Sequence, residues 1–309
     1  ISLPGLFLTH GRIREAISLL RGFAARTRRG IVPNRFGDHR NEAFYNTADA
    51  SLWFIHAVHA CHRTQPLSPP DHENLTAACR DIVHHYRTGT DFGIQVDYDG
   101  LLMAGVPGAA VTWMDARVDG VGVTARIGKP VELSALWHSA LRCLAELVDD
   151  PSETADYTAA ASLAGRSFRQ RFWNERRECC FDVLLPGSGN WRGDDRIRPN
   201  QIFAVGLPFP PLKDAAALQV VATVRDHLLT PYGLRTLSPA DPGYRGRYEG
   251  DQMSRDSAYH NGTSWPWLLG PYCDALRATA TSHAHAVEEI RTVLTPLIES
   301  LDHGCRGQL

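Results

Sequence analysis

Net charge is almost absent from this sequence of 309 residues: 32 Lys and Arg against 34 Asp and Glu leave −2, with the two signs interspersed. Such a surface gains little from counterion release, so neither nucleic acid nor an anionic membrane is an expected partner. A neutral polar ligand suits it better. No apolar run approaches the roughly 18 residues that a membrane span needs, and no charged-then-apolar leader opens the chain. Paired cysteine spacing is missing too. Cys61, Cys79, Cys143, Cys179, Cys180, Cys273 and Cys305 are an odd set with no CxxC, which reads as buried or free thiols of a reducing, cytoplasmic setting. His56/His59, His84/His85 and His283/His285 lack the HExxH or Cys-pair context of zinc, so no metal and no other cofactor is expected. There is no GxSxG nucleophile turn, and Gly120-Val121-Gly122 lacks the strand–turn–helix setting of a nucleotide loop. No repeat and no linker divides the chain, so residues 1–309 are expected to form one domain.

Helical periodicity fills much of what remains. Residues 12–28 place Ile13, Ala16, Ile17, Leu20, Phe23 and Ala24 on one face. Residues 49–63 do the same with Leu52, Trp53, Ile55, His56 and His59, and a third helix opens at Pro70-Asp71 with Asp71 as its expected N-cap. Further helices are expected over residues 131–148, 153–173, 197–205, 215–229, 265–280 and 283–301. An extended pair is expected over 179–185, followed by a loop over 186–195. Two long irregular stretches, 88–129 and 230–263, are rich in Gly and polar residues, with short β-like runs at 93–96 and 110–113. Long loops in a compact domain are commonly functional. The expected class is all-α: a helical bundle, a solenoid or an α/α toroid with its polar loops gathered at one end.

The first irregular stretch holds Thr112-Trp113-Met114-Asp115-Ala116, with Asp91, Asp97, Asp99 and Asp119 around it. A carboxyl group beside an indole has two readings. It is an acid whose proton is retained by apolar surroundings, or a turn-capping aspartate. Inverting glycosidases need such an acid plus a second carboxylate about 6.5–9.5 Å away to activate water. From the second stretch into the next expected helix runs Arg255-Asp256-Ser257-Ala258-Tyr259-His260-Asn261-Gly262-Thr263-Ser264-Trp265-Pro266-Trp267, a mixture of stacking and hydrogen-bonding groups suited to sugars. Buried tryptophans at a helix start, with Pro266 in its first turn, would give the same pattern. Tyr45-Asn46-Thr47-Ala48-Asp49-Ala50 joins polar side chains to a helix start, where Asn46 or Thr47 as N-cap is the alternative to a ligand contact.

Seven segments, in order, resemble the C-terminal glucosidase domain of glycogen-debranching enzymes and their bacterial relatives. They are Ser2-Leu3-Pro4-Gly5-Leu6, Gly30-Ile31-Val32-Pro33-Asn34-Arg35, Tyr45-Asn46-Thr47-Ala48-Asp49-Ala50-Ser51-Leu52-Trp53, Thr112-Trp113-Met114-Asp115-Ala116, Gly128-Lys129-Pro130-Val131-Glu132, Gly233-Leu234-Arg235-Thr236-Leu237 and Tyr259 to Trp267. The resemblance implies an (α/α)6 barrel, a six-hairpin toroid with long loops on its active-site face. It implies hydrolysis of α-glucosidic bonds, the α-1,6 branch linkage of glycogen or limit dextrin, with inversion. Asp115 would be the general acid. Asn46, Asp49, Trp113, Arg126, Lys129, Asp256, Tyr259, His260 and Trp265 would contact an α-glucan or oligosaccharide. A glucoamylase- or trehalase-like glycosidase and a non-catalytic glucan-binding module are the alternatives. The resemblance also implies an incomplete ring. The family's Trp-Gly-Arg-Asp-like segment would precede Ser2. A Glu-Ile-Phe-Asp-Gly-like segment carrying the general base, and a closing Ala-Gln-Ala-Trp-like helix, would follow Cys305-Arg306-Gly307-Gln308-Leu309. On that expectation the chain alone is weakly active at best and exposes apolar helix faces.

Overall fold

A computed structural model describes residues 1–37 and 42–302; Cys305 and the expected break at 305–309 lie outside the described residues. The chain is mostly helical, with a few small sheets. It divides into two compact units, residues 1–113 with 126–168, and residues 114–125 with 169–309. No helix among the described residues is long and apolar enough to cross a membrane. The described cysteines are all free thiols, five of them buried.

In the first unit the helices are α1 (Ile13–Ala24), α2 (Asp49–Thr64), α3 (Pro69–Thr88), α4 (Val131–Leu147) and most of α5 (Pro151–Arg171). Burial alternates along them. Two of 12 residues are buried in α1, 10 of 16 in α2, 7 of 20 in α3, 13 of 17 in α4 and 6 of 21 in α5. A helix that is apolar all round must be enclosed, whereas one with a single apolar stripe lies outside. The inner helices α2 and α4 therefore pack on each other, and α1, α3 and α5 present their polar faces outward. Trp137 of α4 and Tyr86 of α3 fill the space between, and the Tyr86 hydroxyl donates to the Ala48 carbonyl at 2.7 Å, at the start of α2.

The expected N-cap Asp71 gives way to Ser68. Extended Ser68 precedes Pro69 and Pro70, whose fixed φ suits a first turn. The Ser68 hydroxyl donates to the Asp71 carboxylate at 2.6 Å, and Asp71 also accepts from Arg21 of α1. Residues 88–129 carry two small hairpins, Gln95–Val96 with Leu102–Met103 and Arg117–Val118 with Val121–Gly122. Residues 110–113 form no strand; the Val111 carbonyl instead accepts from Ala48 N–H at 2.7 Å.

The second unit contains α6 (Phe203–Gly206), α7 (Asp214–Leu228), α8 (Gln252–Tyr259), α9 (Leu269–Thr279) and α10 (His283–Ser300). Four expectations are corrected here. Residues 186–195 are not simply a loop, because Trp191–Asp194 pairs with Val183–Pro186 as a hairpin. Ile197 and Arg198 are not helical: Arg198 is extended, as the residue before Pro199 must largely be. Residues 230–263 hold α8, whose sequence QMSRDSAY has no apolar stripe to reveal it. Trp265 lies in a strand, and α9 begins only at Leu269.

That strand joins two of the sequence segments. Gly233–Arg235 pairs antiparallel with Ser264–Trp265, Leu234 opposite Trp265 and Arg235 opposite Ser264. Gly233 has φ +153°, and a Cβ there would meet the Trp265 carbonyl carbon and oxygen at 2.6 Å. Gly262, also at φ +153°, would meet the Arg245 carbonyl oxygen at 2.2 Å. Only glycine permits both approaches. Gly233→Ala is expected to destabilise the chain by about 3 kcal/mol, combining backbone strain with a steric clash. Urea unfolding measures it, and a loss under about 0.5 kcal/mol would contradict the close approach.

Candidate active site

In the second unit, residues 114–125 carry Asp115 into the neighbourhood of α8. The hairpin that follows it, Arg117–Val118 with Val121–Gly122, packs on α8, which bears Asp256 and Tyr259. Asp115 Oδ1 stands 3.8 Å from His260 Nε2. The carboxylate is 45% exposed while the imidazole is only 1% exposed, so a half-open acid faces a buried ring.

Two rings lie against that histidine. Tyr259 meets His260 edge-on at 4.8 Å, Trp265 stacks on His260 at 5.5 Å and 15°, and Tyr259 meets Trp265 at 4.8 Å and 78°. The Trp265 indole N–H donates to the Tyr259 carbonyl at 3.0 Å, which fixes the indole plane. Tyr248 joins from the side at 5.4 Å from Tyr259. Burial first, then the neighbouring Tyr248 and the charges of Asp115 and Asp256, hold the Tyr259 phenol above its ordinary range, so it stays a donor. The Asp256 carboxylate, exposed on α8, accepts from Gln252 at 2.8 and 2.9 Å. Sequence reasoning placed Asp115 in one segment and Asp256, Tyr259, His260 and Trp265 in another; the second unit brings the two together.

Sequence reasoning missed what lies beneath them. Asp182, Arg198 and Asn200 are almost wholly buried. Arg198 donates to the carbonyls of Thr236 (2.9 Å) and His260 (2.6 Å) and to Asn261 Oδ1 (2.9 Å). The available signal was a polar Arg198-Pro199-Asn200-Gln201 run between Ile197 and Ile202-Phe203, a combination that a folded core tolerates only with every group paired.

The first unit holds the other expected residues. Asn46 and Trp113 are half-buried. Arg126 forms a two-pronged, buried pair with Glu132, one contact at 2.6 Å and the other from Nη1 to Oε1. Lys129, fully buried, reaches Asp97 at 2.6 Å and Asp99 at 2.7 Å, the two carboxylates flanking Tyr98 at a hairpin turn. Both cations thus serve carboxylates of their own unit, a partnership across up to about thirty residues that local sequence does not announce. Among the described residues no group of three or more His, Cys, Asp or Glu is placed to hold a metal ion.

Asp49 opens α2 and is 7% exposed. Burial, and next the charge of Glu132, push its carboxyl up to about 6 against the pull of its own and Ala50's backbone N–H. An unfolded aspartate titrates near 3.9, so between about pH 4 and 6 the folded chain binds the extra proton. Stability therefore falls as pH rises through that window, by about 3 kcal/mol from this group. The difference in unfolding free energy between wild type and Asp49→Asn is expected to change by that amount between pH 4 and 7.5, wild type being relatively weaker at the higher pH. Urea titrations at the two values measure it, and a pH-independent difference would contradict the buried position.

Known proteins add a consistent frame. The glycogen debranching enzyme of Saccharomyces cerevisiae is 27% identical over 364 aligned residues, which cover 89% of this chain and 24% of that protein. The chain thus spans about a quarter of its relative's length. A GH78 family rhamnosidase of Bacillus sp. GL1 shares the fold at a TM-score of 0.52 and 14% identity, over 94% of this chain and 24% of that one. The sequence model of amylo-α-1,6-glucosidase matches residues 1–309, and the chain belongs to that family.

Proposed function

We propose that the chain is a glycoside hydrolase domain acting on α-glucosidic bonds, the α-1,6 branch of glycogen or limit dextrin, with Asp115 as general acid and inversion at the anomeric carbon. The observation that carries this reading is the half-exposed Asp115 carboxylate 3.8 Å from a His260 enclosed by Tyr259 and Trp265. Aromatic faces offer apolar platforms to the C–H side of a sugar ring, and a protonated phenol donates to its hydroxyls. A carboxyl group open to the ligand on one side and faced by a ring on the other is placed to give its proton to a departing glycosidic oxygen. Asp256 stands in the same cluster as a contact to sugar hydroxyls. Contacts to sugar from Asn46, Asp49 and Trp113 are proposed for the first unit by itself, where Arg126 and Lys129 act through the loop ends they hold by their ion pairs. The reaction needs no metal or other cofactor.

The proposed architecture is a single (α/α)6 barrel domain. It is supported by the alternation of enclosed and half-exposed helices from α1 to α5, the signature of paired inner and outer helices. A cytoplasmic setting accords with the free thiols.

Asp115→Asn is expected to lower kcat for glucose release from a phosphorylase-limit dextrin by about 10²- to 10⁴-fold while dextrin binding is kept. Turnover that survives the substitution would contradict the assignment. Binding of dextrin with no release of glucose by either protein would favour a glucan-binding module instead.

A further inference from the structure

The mechanism above uses Asp115 and the ring cluster but leaves unexplained why three polar side chains are buried under them. Asp182 and Arg198 are each 1% exposed at the side chain, and Asn200 is wholly buried. A buried ion pair is seldom more stabilising than apolar residues of the same shape, so its retention calls for a geometric reason. The contacts supply one. Asn200 Nδ2 donates to Asp182 Oδ1 at 2.8 Å and lies 3.6 Å from the Met114 sulfur, immediately before Asp115. Asp182 Oδ2 faces Arg198 Nε at 3.8 Å. Arg198 in turn grips the carbonyl of His260 and the side chain of Asn261. One continuous network therefore touches the peptide that carries the carboxylate and the peptide that carries the imidazole.

We propose that Asp182, Arg198 and Asn200 are positioning residues that set the Asp115–His260 separation, through Met114 on one side and the His260 carbonyl on the other. Their kinetic consequence rests on the reading of Asp115 as the acid; their structural action does not. Met114 is fully buried and its sulfur, though a weak acceptor, meets a directed N–H, so the side chain has one seat while Asn200 is in place. A guanidinium with its donors divided between two carbonyls and an amide oxygen likewise leaves the 260–261 segment one position.

The test uses the whole chain labelled with ¹³C at its methionine methyls. There are three methionines: Met103 in the first unit, Met114, and Met253, exposed on α8. In Asn200→Leu the Met114 signal is expected to shift or broaden, with Met103 and Met253 unchanged. Asn200→Ser gives the same reading should the leucine variant not fold. In turnover, the variant is expected to lose at least about tenfold in kcat on limit dextrin with KM kept within about twofold. α-Glucosyl fluoride, whose leaving group needs little proton, is expected to be less affected. An unmoved Met114 signal, or equal disturbance of all three, would overturn the proposal, as would equal kcat losses on both substrates. Asp115→Asn that leaves glucose release intact would overturn the hydrolase reading instead, with the methyl spectrum still deciding the positioning role.

Discussion

Arg198 cannot lose its charge and lies where water does not reach, so its guanidinium must find protein acceptors for its donors. That single requirement organises the second unit. Thr236 supplies a carbonyl from just beyond the strand that approaches Trp265, and His260 and Asn261 supply theirs from the turn after α8. The residue that places the guanidinium is itself held extended by Pro199. The glycines follow from the same crowding. With strand, turn and loop drawn onto one buried cation, Gly233 and Gly262 sit where any side chain would collide with a neighbouring carbonyl. The ring cluster of Tyr259, His260 and Trp265 is thus built on backbone that has little freedom to move.

The first unit is organised by charge in another way. Arg126, Glu132, Lys129 and Asp99 are all nearly inaccessible, and each cation is matched by carboxylates. Breaking such a pair leaves an uncompensated buried charge, so these residues fix the turn at 97–100 and the entry to α4 strongly. Asp49 differs: burial, and next the charge of Glu132, make its carboxyl reluctant to ionise.

Helices with an apolar stripe were legible in the sequence almost to the residue: α2 was expected over 49–63 and spans Asp49–Thr64, and α4 was expected over 131–148 and spans Val131–Leu147. The polar α8 was not, because burial of its flank depends on the hairpin at 117–122, which periodicity cannot see. Trp265 was drawn into a helix by the apolar run that follows it, whereas its strand pairing is made with a segment thirty residues earlier. Of the candidate site, the chemistry-bearing residues stood out by type and context. Their supports did not. Asp182, Arg198 and Asn200 carry no spacing signal, since their partners are brought in by tertiary contact at separations from 16 to 86 residues. The resemblance to the debranching family joined the separate motifs, and the family match over residues 1–309 bears it out.

The proposed chemistry leaves one direct stereochemical trace. An acid that protonates the glycosidic oxygen while water attacks the opposite face converts an α-linked glucosyl unit into β-glucose. Proton NMR of the anomeric region, recorded during turnover of limit dextrin at high protein concentration, reads the first product before mutarotation mixes the forms. β-Glucose appearing first, and only with Asp115 intact, is the result this account predicts. α-Glucose appearing first, or β-glucose formed equally well by Asp115→Asn, would contradict it.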